Sequence, residues 1–148
     1  PFGKIQAPKA DTPTLTFNKI GRHQSTYVST RVVSNNSPWM TAVEHGDVFS
    51  VPISHGEGRF VANEDMLKSL YTDGLIATQY VDDINRPSMK TLYNPSGSYC
   101  SVEGLLSPDG RVFGKMGHNE RQGVYVAQNI PGNKDQRLFE SGVRYFMG

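Results

Sequence analysis

The sequence has little of the features that mark membrane, disulfide-linked or nucleic-acid-binding proteins. One cysteine among 148 residues cannot form an internal disulfide. No apolar run approaches the roughly 20 residues that a membrane span requires, and no signal peptide is visible. The formal net charge of +1 gives no reason to expect nucleic acid or an anionic membrane as a partner. Together these absences favour a cytoplasmic protein.

What is present is the composition of an ordinary globular domain. Hydrophobic residues make up 36% of the chain and charged residues 20%, and 148 residues suffice for one domain with a buried core. The chain opens PFGKIQAPKADTPTLTF, without an initiator methionine. That opening does not have the composition of a tag or a linker, so we expect residues 1–148 to be part of a longer protein.

Six short segments have the composition or the alternation that is typical of strands. They are residues 14–17, 25–33, 47–53, 75–81, 100–106 and 111–116. Between the last two, SPDG carries the Asp-Gly pair of a hairpin turn.

Two further segments have helical periodicity. The first begins after Asn63, a residue suited to cap a helix, and places Met66, Leu67 and Leu70 on one face. The second is the closing stretch, 135–148. Its apolar residues at helical spacing are Leu138, Phe139, Val143 and Phe146. This order of strands, helix, strands and helix predicts an α/β domain, or the back half of one.

The stretch GKMGHNER (114–121) places an imidazole and a carboxylate two residues apart where a predicted strand ends. A neutral imidazole can accept a proton from a nucleophile and return it to a leaving group. Glu120 can fix the tautomer of His118, because side chains two apart project to the same side of extended backbone. His118 and Glu120 are therefore candidates for two members of a catalytic triad, the general base and the carboxylate that orients it (its orienter). The alternative, an exposed His and Glu in a loop, is favoured by the local pattern alone.

The chain offers no clear nucleophile for that pair. Cys100 is the only thiol, and GSYCSVEGLL predicts that it begins a strand. A reactive cysteine needs a sharp turn or a helix N-terminus that exposes it and lowers its pKa. No GxSxG or GxCxG elbow occurs in the sequence. We therefore expect Cys100 to be a small packed residue. A thiol hydrolase that uses Cys100 as its nucleophile is a weaker hypothesis for the function.

The segment SHGEGRF (54–60) is a second candidate site. Its glycines allow backbone to approach a ligand closely, and Arg59 can bind a carboxylate through two hydrogen bonds. His55 and Glu57 flank the same turn. The alternative is a tight turn with a local ion pair. No HxxxH or HExxH pattern occurs, so no metal site is expected.

Several longer motifs succeed one another along the chain. They are SHGEGRFVANEDMLKSL, NPSGS, GLLSPDGRVFGKMGHNER and GVYVAQNIPGNKDQRLFESGVRYF. Together with LTFNKIGRHQSTYVSTRV and SPWM, they resemble the glutamine amidotransferase domains of the phosphoribosylformylglycinamidine synthase (FGAM synthase) family, which acts in purine biosynthesis. The resemblance covers nearly the whole chain, which makes it more specific than any single motif.

The resemblance implies a flavodoxin-like α/β fold of the class I amidotransferases, here its C-terminal portion, with a mixed sheet flanked by helices. It also implies a Cys–His–Glu triad whose His and Glu come from a PHPER-like motif. Residues 117–121 match that motif, so His118 resembles the general base and Glu120 its orienter. The chain departs from the pattern at Gly117 and Asn119, where prolines are common.

The same resemblance implies further site residues and a nucleophile outside this sequence. His55, Glu57 and Arg59 are carried over as candidates for the wall of the glutamine pocket. The family's nucleophile lies in a GxCNGxQ elbow, and the opening PFG resembles the stretch directly after the helix of that elbow. We therefore expect residues 1–148 to be a partial glutaminase domain, inactive alone, with its elbow upstream of residue 1. Cys100 matches no catalytic position.

In the implied parent enzyme, glutamine is hydrolysed through a cysteinyl thioester and ammonia passes to a synthetase domain. That domain uses ATP and magnesium to amidate formylglycinamide ribonucleotide. The expected partners of this chain are glutamine and the synthetase domain, with no nucleic acid, membrane, metal or cofactor of its own. A non-catalytic amidotransferase-like module that binds partners is the alternative. Because a divided sheet exposes strand edges and apolar faces, the chain is also expected either to associate with itself or to rearrange so that these surfaces are covered.

Overall fold

The computed structural model describes residue 9 and residues 11–148. Within these residues lie seven β-strands and two α-helices. In chain order they are β1 (Thr14–Thr16), β2 (Gln24–Val32), β3 (Val48–His55), β4 (Arg59–Val61), α1 (Glu64–Thr72), β5 (Ile76–Tyr80), β6 (Val102–Leu106), β7 (Phe113–Lys115) and α2 (Leu138–Met147). The expectation that PFG comes directly after the helix of a nucleophile elbow concerns residues outside those described.

Five of the strands form one sheet in the order β3–β2–β5–β6–β7, while β1 and β4 pair separately. The structure therefore shows the predicted α/β class. Where the sequence predicted a mixed sheet, every pair among the described strands is antiparallel. For β6 and β7 the connection explains this pairing, since a short hairpin joins them whereas parallel neighbours require a long crossover.

The sheet curls until its two edge regions meet. Just beyond β7, Gly117 forms an antiparallel bridge with Ile53 of β3, at the opposite edge. The His118 N–H donates to the Pro52 carbonyl at 2.8 Å. Pro52 has no N–H to contribute and is tolerated because β3 is an edge strand. The segment that carries His118 therefore closes the curled sheet.

The alternating sequence of β3 determines which face of the sheet is buried. Phe49, Val51 and Ile53 are buried, whereas the residues between them are partly exposed. Val28 and Val32 of the neighbouring β2 join them in the larger core cluster. Side chains two apart share a face of a strand, so this period places the core inside the curl.

The helix α1 begins as the sequence predicted. The Asn63 Oδ1 atom accepts from the Met66 N–H at 2.8 Å, which satisfies one of the free donors of the first turn. Leu70 is buried, while Met66, one turn earlier on the same predicted face, is 36% exposed. In the part of the chain that the structure describes, no helix is both long and apolar enough to cross a bilayer.

The helix α2 packs through its small residues. Ser141 is fully buried, and Gly142 lies directly against the ring of Trp39. Leu138 is buried beside them. The other apolar residues of the predicted face are more than half exposed, namely Phe139, Val143 and Phe146. The predicted apolar face exists but is turned outward, because close approach to Trp39 requires the small residues to point inward.

One prediction about Cys100 was wrong. The sequence predicted that Cys100 begins a strand, but it lies in a short 3₁₀ turn, Tyr99–Ser101, and β6 begins at Val102. Cys100 and Ser101 both adopt left-handed backbone conformations, with φ of 50° and 56°. Two consecutive non-glycine residues in that region keep the strand from beginning before Val102, and strand propensity alone does not reveal them.

Candidate functional site

His118 and Glu120 lie together at the point where the curled sheet closes. The His118 Nδ1 atom is 2.7 Å from Glu120 Oε1. An ionised carboxylate can only accept hydrogen bonds, so Nδ1 carries the proton and Nε2 keeps its lone pair. The Arg121 N–H donates to the His118 carbonyl at 3.2 Å and tightens the turn. The pair has the geometry of a general base with its orienting carboxylate.

Glu120 is held in its ionised form. A hydrogen bond from its own backbone N–H lowers its pKa most, and the hydrogen bond from His118 and the charge of Arg121 lower it further. The Arg121 Nε atom lies 3.7 Å from the same carboxylate oxygen. The side chains of His118 and Glu120 are 31% and 57% exposed, so a reacting group can reach both.

A buried ion pair underlies the segment that carries His118. Glu103 of β6 has no exposed side-chain surface, and Lys115 of β7 has 9%. Glu103 Oε1 accepts from the Gly117 N–H at 2.6 Å and lies 3.8 Å from Lys115 Nζ. Lys115 Nζ donates to Asn119 Oδ1 at 2.5 Å. The pair therefore contacts the residue before His118 and the residue after it.

The other hydrogen bonds of Glu103 and Lys115 connect the ion pair to the inner strands of the sheet. Thr78 Oγ1 donates to Glu103 Oε2 at 2.5 Å. Lys115 Nζ donates to Gln136 Oε1 at 2.5 Å, and Gln136 Nε2 donates to Thr30 Oγ1 at 3.3 Å. Burial lowers the pKa of Lys115, and the charge of Glu103 opposes that shift. Every charge in the group has a partner, as buried charges require.

Sequence analysis missed Glu103 and Lys115. Each is a charged residue inside a short, otherwise apolar strand. Such residues are almost never buried unless they are paired. The available signal was therefore a pair of opposite charges on the two strands of a predicted hairpin.

His55 lies at the end of β3, where its ring is tied to Asn18. The His55 Nδ1 atom is 2.9 Å from Asn18 Oδ1, which also accepts from the Gly58 N–H at 3.3 Å. Asn18 Nδ2 donates to the His55 carbonyl at 2.7 Å. The His55 Nε2 atom is buried without a hydrogen-bond partner among the described residues. Burial lowers the pKa of His55, and the charge of His23 lowers it further.

Glu57 and Arg59 lie on either side of Gly58 and have different surroundings. Glu57 is exposed. The Arg59 guanidinium lies over the ring of Tyr99, 5.4 Å from its centroid, and its Nε donates to the Gly97 carbonyl at 3.3 Å. Among the described residues no carboxylate lies within salt-bridge distance of Arg59, so the local ion pair considered for this turn does not form.

The NPSGS motif is a buried polar loop that fixes this turn. Asn94, Ser96 and Ser98 have no exposed surface. Asn94 Oδ1 accepts from the N–H groups of Gly97 and Ser98 at 3.0 and 3.1 Å. Ser98 Oγ donates to the Gly58 carbonyl at 3.1 Å. The loop thus holds the SHGEGRF turn against the sheet, a role that the motif alone did not reveal.

Cys100 is partly buried. It contacts the smaller core cluster, and its carbonyl accepts from Gln79 Nε2 at 2.6 Å. In residues 9 and 11–148, no group of three or more His, Cys, Asp or Glu side chains is placed to hold a metal ion.

Comparison with known proteins gives a family and several relatives. The model of the CobB/CobQ-like glutamine amidotransferase domain matches residues 1–146. The phosphoribosylformylglycinamidine synthase subunit PurQ of Aquifex aeolicus (strain VF5) is 33% identical over 128 residues, which are 86% of this chain and 52% of that protein. The subunit PurQ of Methanosarcina barkeri is 31% identical over 132 residues, which are 88% and 54%.

A solved structure gives the same result at the level of the fold. The structure of PurLQS from Thermotoga maritima superimposes with a TM-score of 0.65 at 29% identity, over 91% of this chain and 53% of that chain. The resemblance and the α/β fold class predicted from the sequence are confirmed. The chain spans about half the length of the curated relatives that it matches.

Proposed function

Because the chain belongs to the family of CobB/CobQ-like glutamine amidotransferase domains, we propose that it is the part of a glutaminase that carries the His–Glu pair. The glutaminase is that of a phosphoribosylformylglycinamidine synthase, the enzyme whose subunits are the named relatives. Its product, ammonia, serves purine biosynthesis. The observation that carries this proposal is the 2.7 Å contact between His118 Nδ1 and Glu120 Oε1.

In the proposed reaction His118 first accepts a proton and then donates it. Its Nε2 accepts the proton of a cysteine thiol, and the sulfur attacks the side-chain amide carbon of glutamine. His118 then gives the proton to the leaving nitrogen, ammonia departs, and water hydrolyses the thioester to glutamate. Glu120 holds the imidazole in the required tautomer and stabilises its charged form.

The cysteine is proposed to lie on a segment outside this chain. Two observations support this. The sequence has no nucleophile elbow, and its only cysteine is packed in the smaller core cluster. The chain also matches only about half of each relative, which leaves the other half to supply the elbow.

His55, Glu57 and Arg59 are proposed as the wall of the glutamine pocket. Their turn comes directly after β3, the strand whose Ile53 bridges Gly117, so the turn and His118 lie at the same end of the sheet. Glu57 is exposed and Arg59 partly so, and both can reach a ligand. The buried NPSGS loop supports this position of the turn.

The partner proposed for the glutaminase is a synthetase that consumes the ammonia. ATP and magnesium would act there, and this chain would need no cofactor of its own. The structure of PurLQS is the comparison that supports an assembly of this kind. A cytoplasmic location is proposed on the same ground, together with the single cysteine of the sequence.

The test is glutamine hydrolysis by a longer protein, in which a segment with the GxCNGxQ motif precedes residue 1 and Cys100→Ala is present. Ammonia release is expected, because the nucleophile comes from the added segment and Cys100 is not needed. The 148-residue chain alone is expected to release none.

The matched control is the same longer protein with Cys100 unchanged. Release that depends on Cys100 would support the thiol hydrolase instead. If neither protein releases ammonia, even with the synthetase present, the chain is better described as a partner-binding module.

A further inference from the structure

We propose that the buried Glu103–Lys115 ion pair positions His118 by holding the residues on both sides of it. Glu103 and Lys115 are then positioning residues for the base, although neither touches the reacting atoms. The inference rests on the proposed glutaminase function for its catalytic meaning. Its structural content can be tested without any activity.

Glu103 holds the residue before His118. Its Oε1 atom accepts from the Gly117 N–H at 2.6 Å, a distance typical of a strong, charge-assisted hydrogen bond. The other oxygen, Oε2, accepts from Thr78 Oγ1 at 2.5 Å. Thr78 lies in β5, the central strand of the sheet, and has no exposed surface. The carboxylate therefore links Gly117 to the buried central strand of the sheet.

Lys115 holds the residue after His118. Its ammonium donates to Asn119 Oδ1 and to Gln136 Oε1, both at 2.5 Å. Asn119 and Gln136 are 7% and 2% exposed, so these bonds are shielded from competing water. The ammonium also lies 3.8 Å from Glu103 Oε1. One ion pair thus fixes both ends of the three-residue segment that has His118 at its centre.

The two residues that the pair holds are those at which the chain departs from the PHPER-like pattern. Proline at such positions has a fixed φ and no N–H, so it stiffens the backbone by itself. Gly117 and Asn119 lack that stiffness. In their place Gly117 offers an N–H that Glu103 accepts, and Asn119 offers an oxygen that Lys115 binds. The hydrogen bonds from the buried ion pair therefore restrain the backbone around His118, as prolines at positions 117 and 119 would do.

The expected consequence is a fixed direction for the imidazole. The 2.7 Å contact between His118 Nδ1 and Glu120 Oε1 depends on the backbone of the segment between Gly117 and Glu120. If that segment moves freely, the carboxylate no longer selects the tautomer with the proton on Nδ1. The base would then present Nε2 with the wrong protonation in part of the molecules.

The first experiment is NMR of the ¹⁵N-labelled His118 ring in the 148-residue chain, at a pH where the imidazole is neutral. The double variant Glu103→Leu with Lys115→Met replaces both charges by apolar groups of similar size, which proteins tolerate better than the loss of one partner. The unaltered chain is expected to show the Nδ1-protonated tautomer. The folded double variant is expected to show a mixture with a substantial Nε2-protonated share.

The matched control is Glu64→Leu with Lys68→Met, which removes the exposed pair of the same residue types on α1. It is expected to leave the His118 spectrum unchanged. Asn119→Ala provides a second variant, because it cuts only the bond from Lys115 and leaves the ion pair in place. Asn119→Ala is expected to raise the Nε2-protonated share of His118 as well, but by less than the double variant does. A His118 spectrum unchanged in both test variants would overturn the proposal.

The second experiment measures glutamine hydrolysis in the longer, nucleophile-bearing protein. The double variant is expected to lower kcat about 10- to 100-fold with little change in KM, because misplacing a catalytic group affects the reacting state more than binding. An unchanged kcat in an active protein would overturn the positioning role. An inactive unaltered protein would overturn the proposed function, and the ring spectrum would then decide the positioning by itself.

Discussion

At the scale of single residues, the partner of each histidine determines what its ring can do. His118 faces a carboxylate that can stabilise its charged form, whereas His55 faces the amide oxygen of Asn18 and is kept neutral by burial. The sequence predicted the first contact, because His118 and Glu120 are two residues apart. It did not predict the second, because Asn18 and His55 meet only through the fold.

Replacing Glu120 tests its role as orienter. In the longer, nucleophile-bearing protein, Glu120→Gln is expected to lower kcat for glutamine hydrolysis by about 100- to 10,000-fold, because the amide cannot stabilise the charged imidazole. Steady-state kinetics at neutral pH measure the change. Glu44→Gln, at an exposed position away from the site, is the control and is expected to keep full activity. Equal activity of the two variants would show that Glu120 does not act on His118.

The lowered pKa of His55 predicts a pH dependence of stability. Burial lowers the pKa in the folded chain, so between that value and the ordinary value of about 6.5 the unfolded chain binds more protons. Stability is therefore expected to rise with pH across this window. Below the window both states bind the proton, so His55 no longer makes stability depend on pH. His55→Asn keeps a donor for Asn18 but cannot titrate, so its stability is expected to change less over the same window.

Urea denaturation at several pH values between about 5 and 7.5 measures both proteins. His45→Asn, at an exposed histidine, is the control and is expected to keep the slope of the unaltered chain. Identical slopes for the unaltered chain and His55→Asn would contradict this account of His55.

At the scale of elements, the sequence predicted the cap of α1 and the β6–β7 turn, but it did not predict which face of α2 points inward. Asn63 caps α1, and SPDG forms the hairpin between β6 and β7 with Gly110 at a φ of +68°. Both features depend on residues a few positions apart. The inward face of α2 depends instead on Trp39, which lies far away in the sequence and comes to the helix only in the folded chain.

Gly142 allows α2 to lie against Trp39. A Cβ built at Gly142 would approach ring atoms of Trp39 to 2.6 Å, and Trp39 Nε1 is bonded to the Arg111 carbonyl at 2.9 Å, so the ring is not free to turn away. Gly142→Ala is expected to destabilise the chain by about 1–2 kcal/mol, because overpacking exceeds the gain of about 1 kcal/mol in helix propensity. Denaturation by urea measures the difference.

Gly114→Ala is the control for that variant. Gly114 lies in β7 with nothing within 4 Å of its virtual Cβ, so a change of no more than about 0.5 kcal/mol is expected. A stabilising Gly142→Ala would show that helix propensity outweighs the contact with Trp39.

At the scale of the whole molecule, α2 presents an exposed apolar face. Phe139, Val143 and Phe146 are 57%, 55% and 65% exposed on one side of the helix. An apolar face of this kind marks an interaction surface or a tendency to associate.

The 148-residue chain by itself is therefore expected to associate as its concentration rises. The variant with Phe139→Glu and Phe146→Glu is expected to remain monomeric over the same range, because the charges remove the apolar face. Sedimentation velocity measures the distribution. Leu92→Glu, at an exposed leucine outside α2, is the control and is expected to associate like the unaltered chain. A monomeric unaltered chain at every concentration would contradict the prediction.

The global arrangement also marks the limit of sequence reasoning. The motifs indicated the family and the residues His118 and Glu120, because both are carried by short stretches of sequence. The Glu103–Lys115 pair was missed, because its partners Thr78 and Gln136 come from distant parts of the chain. The β6–β7 hairpin brings Glu103 and Lys115 to Gly117, whereas Thr78 and Gln136 reach the pair only in the folded chain.

The bridge between Ile53 and Gly117 also affects the time course of folding. Contacts between residues far apart in sequence form late, because closing a long loop costs chain entropy before the contact can stabilise the chain. The β6–β7 hairpin can form early, whereas the bridge must wait until β3 and the segment beyond β7 meet. In a refolding experiment the imidazole signal of His118 should recover after the signals of the hairpin. A chain that has not finished folding therefore has strands but no base in place.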